Sequence, residues 1–364
     1  MQEVDENSAP IDADRRRGRG AVSNRSGRFE RAQRVEQSDG WDIPEARAAF
    51  RTTVTLEQAR RIVSYNRSPD LPFDRSINPY RGCEHGCVYC FARPTHAWLG
   101  LSAGLDFETR LIARPNAAAC LDRELRQARY KPAPIAIGTN TDPYQPIEKE
   151  HEITRDCLKV LRDFGHLVAI VTKGTLIERD IDILAPMAAR GLVRVGVSVT
   201  SLDSKIARTM EPRVPSAERK LQMIARLSAA GIPVRLMVSP IVPALTDPEL
   251  EEILAAGYLA GARTASWIML RLPLEVSQVF QEWLAAHFPD RAARVLARLR
   301  EMHGGQLYDA AWHRRMRGEG PYAQMIAQRF DLACKRIGFS RDVPRLRCDL
   351  FSPPLRRGDQ MALF

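Results

Sequence analysis

Three cysteines crowd one short stretch of this 364-residue chain: Cys83, Cys87 and Cys90, in the segment C-E-H-G-C-V-Y-C with C-x3-C-x2-C spacing. Thiolates are soft ligands, and iron–sulfur clusters are normally held by four of them. Three thiols on one loop hold three irons of a 4Fe-4S cube and leave the remaining iron open. An open coordination position is what separates a catalytic metal centre from a closed structural one. Gly82 and Gly86 suit a backbone wrapped tightly round such a group, because glycine tolerates dihedrals barred to other residues. A structural zinc site is the competing chemistry, with His85 or His96 available as a further ligand.

Phe91 follows the last cysteine directly, and the run S-I-N-P-Y-R-G-C-E-H-G-C-V-Y-C-F-A-R-P-T-H extends from Ser76 to His96. The three-cysteine motif with its aromatic neighbour resembles the radical S-adenosylmethionine superfamily. The longer run resembles the spore photoproduct lyase-like, or DNA repair photolyase-like, branch, and the resemblance covers roughly residues 66–354. It implies a 4Fe-4S cluster on Cys83, Cys87 and Cys90, with S-adenosylmethionine chelated at the open iron through its amino and carboxylate groups. Reductive cleavage would then give methionine and a 5′-deoxyadenosyl radical that abstracts hydrogen from a substrate. The resemblance also implies an electron donor of the flavodoxin or ferredoxin type.

The elements that must carry this loop follow in regular alternation, β-branched apolar runs followed by stretches at helical period. Strands are expected at 76–78, 134–138, 167–172, 193–200, 233–239 and 265–270. Helices are expected at 116–130 with Asn116 as N-cap, at 154–164, around Ile181, Leu184 and Ala188, and at 216–230 closed by Gly231. T-D-P-E from Thr246 reads as a capping-box start for one more, ending at Gly261. Such alternation implies parallel strands with right-handed crossovers, hence an α/β barrel or a doubly wound sheet. The family resemblance selects a partial (β/α)6 barrel with the cluster loop after its first strand. Three regions are expected: a disordered Arg-rich tail at 1–45, the barrel at 46–273, and a C-terminal helical region at 274–364 packed on it.

Sites in such barrels sit at the carboxyl ends of the strands. Those ends carry Thr139, Asn140, Thr141 and Asp142, then Thr172 and Lys173, then Ser198 and Thr200, then Ser239. By resemblance, G-T-N-T-D at 138–142 occupies the place of the motif that receives the methionine amine. Thr139 and Asn140 can accept from an ammonium there, and Asp142 can pair with it. Lys173 resembles a lysine that contacts the S-adenosylmethionine carboxylate, a sound charge match. Ser198 matches the strand that reaches the ribose, and Glu211 and Arg213 in M-E-P-R resemble a motif after it, an ion pair holding a long loop being the alternative. Phe91 places its neighbouring backbone against adenine, or else joins the core.

Composition bounds the rest. Hydrophobic content of 45% builds a sizeable core, and no run approaches the ~18 apolar residues of a membrane span. The start M-Q-E-V-D-E-N is acidic, unlike a secretory signal. Seven cysteines with three clustered suit a reducing, cytoplasmic setting rather than a disulfide framework. Cys120 and Cys157 read as buried small hydrophobes. The net charge of +10 invites nucleic acid as a partner, yet 47 of the 54 basic residues are Arg in an Ala-rich chain, a pattern coding bias produces equally well. Eight Arg against one Glu at 15–34 read as a solvated arm. Fifteen basic against eight acidic residues follow position 289, interleaved with Tyr308, Trp312, Tyr322, Phe330 and Phe339. Those aromatics suit either a nucleic-acid channel or the cover of an open barrel side.

One activity of the resembled branch is not expected. The lyase returns hydrogen to thymine through a cysteine beside its second-strand motif, helped by a tyrosine after the last cluster cysteine. Here no cysteine lies between Cys120 and Cys157, and the position after Cys90 is Phe91, which has no phenolic hydrogen. Tyr89, or a cysteine brought near by folding, is the available substitute.

Overall fold

The computed structural model describes residues 10–30 and 48–355. Ten strands form: β1 Thr53–Leu56, β2 Val63–Tyr65, β3 Arg75–Ile77, β4 Tyr80–Arg81, β5 Arg110–Ala113, β6 Ile135–Ile137, β7 Val168–Thr172, β8 Val193–Ser198, β9 Val234–Ile241 and β10 Thr264–Met269. The main sheet runs β10-β9-β8-β7-β6-β3-β2, and only the β2–β3 pair is antiparallel. Its six parallel strands lie in sequence order, so every crossover steps the same way, and right-handed connections leave the helices on one side. A doubly wound sheet would reverse that order partway. This is the expected partial barrel, open because β10 pairs only with β9 among the described residues.

The helices form because apolar residues recur at helical spacing and must find a sheet to cover. Ile153–Asp163 buries Cys157, Leu158 and Leu161, and Ala217–Ala229 buries Met223, Ile224 and Leu227, in one core with Val193, Val195 and Val197 of β8. Truncating Leu161 to Ala there would cost about 2–5 kcal/mol in lost transfer energy and cavity. Ser216 Oγ caps its helix by accepting from Arg219 N. The two expected N-caps do not form. Asn116 spends its amide on Ala59, Oδ1 accepting from Ala59 N and Nδ2 donating to Ala59 O, both at 2.8 Å. Thr246 Oγ1 accepts from Val242 N, and Glu249 Oε2 accepts from Leu202 N, so no capping box closes before Leu250–Leu259. In both cases a backbone donor brought by the fold outcompetes the helix end.

The C-terminal helices Glu275–His287, Pro289–Met302 and Gly320–Ile337 enclose a connection that covers the open side. Met316 O accepts from Met269 N of β10 at 2.9 Å, and Arg315 Nε donates to Asp70 Oδ2 at 2.6 Å, bridging toward the chain before β3. Phe330 and Phe339 are buried and Tyr322 donates to Asp247 Oδ2, whereas Trp312 is exposed. Arg298, Arg314, Arg315, Arg329 and Arg347 are each taken up in ion pairs, which shrinks the basic surface that charge counting suggested.

The solvated arm is corrected for residues 10–30; positions 31–47 lie outside the described residues. Residues 19–24 are buried. Gly20 N and Ala21 N donate to Glu108 Oε2 and Oε1 at 2.8 and 2.9 Å, Asn24 Nδ2 donates to Asp106 Oδ1, and Ser23 Oγ donates to Glu282 Oε2. Charge counting missed this because a chain with few apolar side chains can still dock through its backbone donors when a buried carboxylate awaits them.

Candidate active site

The cysteine loop leaves β4 and is shaped by glycine and one buried ion pair. Gly82 and Gly86 have φ of +74° and +67°. A Cβ on Gly82 would stand 2.9 Å from the Phe107 carbonyl oxygen, and one on Gly86 2.7 Å from Glu108 Oε2, so conformation and space both demand glycine. Fully buried Arg93 donates to Cys87 O at 3.0 Å and Gly86 O at 3.1 Å, and pairs with Glu108 at 2.5 Å. A guanidinium cannot shed its charge in a dry core, so Glu108 makes this pinning affordable. From the other side Gln145 donates to Gly82 O and accepts from Glu84 N.

Cys83, Cys87 and Cys90 line one cavity of about 190 Å³ at the carboxyl ends of the strands. Burial pushes all three thiols up in pKa, so a metal must displace their protons on binding. Among the described residues no three His, Cys, Asp or Glu side chains are spaced for a single metal ion. His85 lines the cavity with its Nδ1 3.4 Å from Asp142, and His96 Nε2 meets Arg110 O at 3.0 Å, edge-on to Phe107. Three soft donors, a glycine-lined turn and open space beyond them fit an iron–sulfur cluster.

Phe91, Thr139, Asn140, Asp142, Lys173 and Ser198 all line this same cavity. Phe91 stands at its mouth, 45% exposed, with the Arg271 guanidinium 4.9 Å from its ring centre. Asp142 is already engaged, accepting from Thr172 Oγ1 and Lys173 N at 2.7 Å and from Tyr144 N at 2.9 Å. Burial works against its ionisation, but the His85 imidazole and these donors prevail and hold the carboxyl below its usual range. Its side chain thereby ties the Lys173 backbone and His85 to the cavity wall.

Glu211 and Arg213 lie outside the cavity lining. Glu211 is buried behind it and accepts from Tyr89 OH, from Thr200 Oγ1 at 2.8 Å and from Lys220 Nζ at 3.2 Å, while Lys173 Nζ stands 3.8 Å away. Burial alone would raise its pKa; Lys220 and Lys173 overcome that and bring it to about 2. Arg213 pairs with Glu84 at 3.0 Å and donates to Gly18 O, tying the N-terminal arm to the cysteine loop. The ion-pair alternative for M-E-P-R is the geometry observed. Arg271 was missed at sequence level, although the strand-end rule applied to β10 reaches it; Arg93, Glu108 and Gln145 carry no local signal.

A partly open parallel barrel with a three-thiol loop at its strand ends, facing a cavity with apolar walls and polar strand-end groups, defines a metal-cluster enzyme. A family model described as the Radical SAM superfamily matches residues 77–256. An uncharacterised protein of Mycobacterium tuberculosis (strain H37Rv) is 35% identical over 255 residues, 69% of this chain and 74% of that protein. One from Methanocaldococcus jannaschii is 27% identical over 217 residues, 59% of this chain and 76% of its own. Among solved structures, a spore photoproduct lyase variant superposes with TM-score 0.52 at 14% identity, over 78% of this chain and 79% of that one. Another, with bound AdoMet and dinucleoside spore photoproduct, gives 0.51 at 16% identity over 83% and 84%. The chain belongs to the Radical SAM superfamily, and its fold is that of spore photoproduct lyase. It is a radical S-adenosylmethionine enzyme, a class that uses S-adenosylmethionine with an iron–sulfur cluster and draws on a reductant. No helix among the described residues is long and apolar enough to cross a membrane.

Proposed function

We propose that Cys83, Cys87 and Cys90 hold a 4Fe-4S cluster, that S-adenosylmethionine binds beside them, and that the substrate is not the thymine photoproduct. The observation that carries this is the placement of three thiols and a lysine in one cavity at the strand ends. When bound, the cluster supplies the electron that cleaves S-adenosylmethionine to methionine and a 5′-deoxyadenosyl radical, the abstractor of substrate hydrogen.

The chain's own residues bind and orient. Lys173, aimed by Asp142 through its backbone N–H, offers charge to the methionine carboxylate. Thr139 and Asn140 accept from the ammonium, Ser198 meets the ribose, and Phe91 flanks the adenine. Val171, Met237 and Ile268 give the cavity apolar walls that exclude water from a reactive radical. An electron donor of the flavodoxin or ferredoxin type would supply the reducing electron.

Of the two substitutes a photoproduct lyase would draw on, no further cysteine lines the cavity, and the tyrosine that does is engaged elsewhere. Of the seven cysteines only Cys83, Cys87 and Cys90 line it; Cys120 and Cys157 are buried in helices and Cys348 is exposed. Tyr89 lines it, but its hydroxyl donates to Glu211.

Anaerobic reconstitution with iron and sulfide, then dithionite and S-adenosylmethionine, is expected to yield 5′-deoxyadenosine, and the Cys83→Ala/Cys87→Ala/Cys90→Ala variant none. Product formation by that variant would overturn the assignment. Turnover of authentic thymine photoproduct would overturn the substrate statement.

A further inference from the structure

Beneath the thiol-lined cavity the barrel holds a second one, of about 460 Å³, and the two share Thr139, Val171, Met237 and Ile268 as lining. Strand alternation sends Arg194 and Gly196 of β8, Arg235 and Met237 of β9 and Ser266 of β10 into this lower space. Of the neighbouring strands, β6 contributes the small Ala136 and β7 contributes Ala169, Ile170 and Val171, none of them charged. Arg235 lies level with Gly196 of the neighbouring strand, and Arg194 with Ala169.

Barrel interiors are usually filled by apolar side chains. Two half-buried guanidiniums in this one face no carboxylate: among the described residues neither Arg194 nor Arg235 has a hydrogen-bond or ion-pair partner. The single acidic residue in the lining, Asp70, already accepts from Arg315 Nε at 2.6 Å and from His313 N at 2.8 Å. Arg317 adds a third cation at the rim, 4.2 Å over the Trp267 ring, with Asp331 acting on it only from beyond ion-pair distance. Ser266 Oγ is buried with no partner. Burial depresses the pKa of Arg194 and of Arg235, and Arg194 depresses Arg235 further. Unpaired buried charge and unmet buried donors are costly, and arginine cannot escape by neutralising. A chain that keeps such a cluster where alanine would fit spends stability on something that binds there.

We propose that the lower cavity is an oxyanion pocket, in which Arg194 and Arg235 with the Ser266 hydroxyl hold a phosphate or carboxylate end of the substrate. Because the two cavities meet at four shared lining residues, a molecule anchored below would direct its remaining carbons toward the upper one. The substrate class is then a compact molecule with a terminal oxyanion, a nucleotide phosphate or an acidic metabolite. Assigning the ligand as substrate rests on the radical reading above; the anion site itself does not.

The test uses the full-length chain without cluster or S-adenosylmethionine, at low ionic strength, by calorimetric titration of inorganic phosphate and, separately, of succinate. Saturable binding of phosphate alone assigns the pocket to phosphoryl groups, and of succinate alone to carboxylates. Arg194→Gln and Arg235→Gln are each expected to weaken that binding about tenfold or more, and Ser266→Ala less. Without anion, the two arginine variants are expected to show a higher Tm than the parent and to lose the upward shift that the anion gives the parent. Absence of saturable binding, or equal affinity in folded arginine variants, would overturn the proposal. A wild-type chain that binds anion but makes no 5′-deoxyadenosine would fail the radical reading alone.

Discussion

Gly20 lies against Gly86: a Cβ on Gly20 would stand 2.0 Å from the Gly86 carbonyl oxygen. The N-terminal arm is thereby packed onto the back of the cysteine loop, with Glu108 gathering Gly20 N, Ala21 N and Arg93 at one buried point.

Gly20→Ala should displace the arm, because the obstructing atom is backbone and cannot rotate away. The expected loss is about 1–3 kcal/mol of stability. Limited proteolysis within residues 10–30 should speed up, and iron per chain after reconstitution should fall. Unchanged proteolysis would show the arm is not held there.

Glu108→Gln leaves the Arg93 guanidinium buried without its counter-charge, at an expected cost of about 3–5 kcal/mol. Thermal denaturation of Glu108→Gln, Arg93→Met and the double variant should give a double-variant loss smaller than the sum of the singles. Strict additivity would mean the pair does not act as one unit.

Glu211 supplies an acid-sensitive element. Its carboxyl titrates near 4.5 when unfolded and near 2 when folded, so its contribution is present above about pH 4.5 and is lost as pH falls toward 2. Wild type should exceed Glu211→Gln in stability at pH 7 by on the order of 3 kcal/mol, and the gap should narrow by pH 3. A gap independent of pH would assign the effect to packing.

Lys173→Ala should weaken S-adenosylmethionine binding to the reconstituted protein by about tenfold, while iron and sulfide content stay at the parent level. Equilibrium binding under anaerobic conditions reads this directly. Loss of iron instead would make Lys173 part of the cluster's support.

Cysteine spacing and the two hydrophobic periods were enough to read the metal loop, the six parallel strands and the polar strand ends that line the cavity. These are local signals: ligand spacing on one loop and side-chain direction along one element repeat over a few residues. Strand limits at β7 and β8 fell within two residues of those expected, and Thr139, Asn140, Lys173 and Ser198 stand where strand-end logic puts them. Only the tertiary structure decided which charges would be consumed. It joined Gly20 to Glu108 across 88 positions, engaged Asp142 with Thr172, drew Glu211 behind the cavity and paired the C-terminal arginines. It also left Arg194 and Arg235 unpaired in the barrel, although alternation on β8 and β9 already aimed them inward. Whether a buried charge finds a partner depends on desolvation and on geometry between distant segments, and no pattern within one segment encodes either.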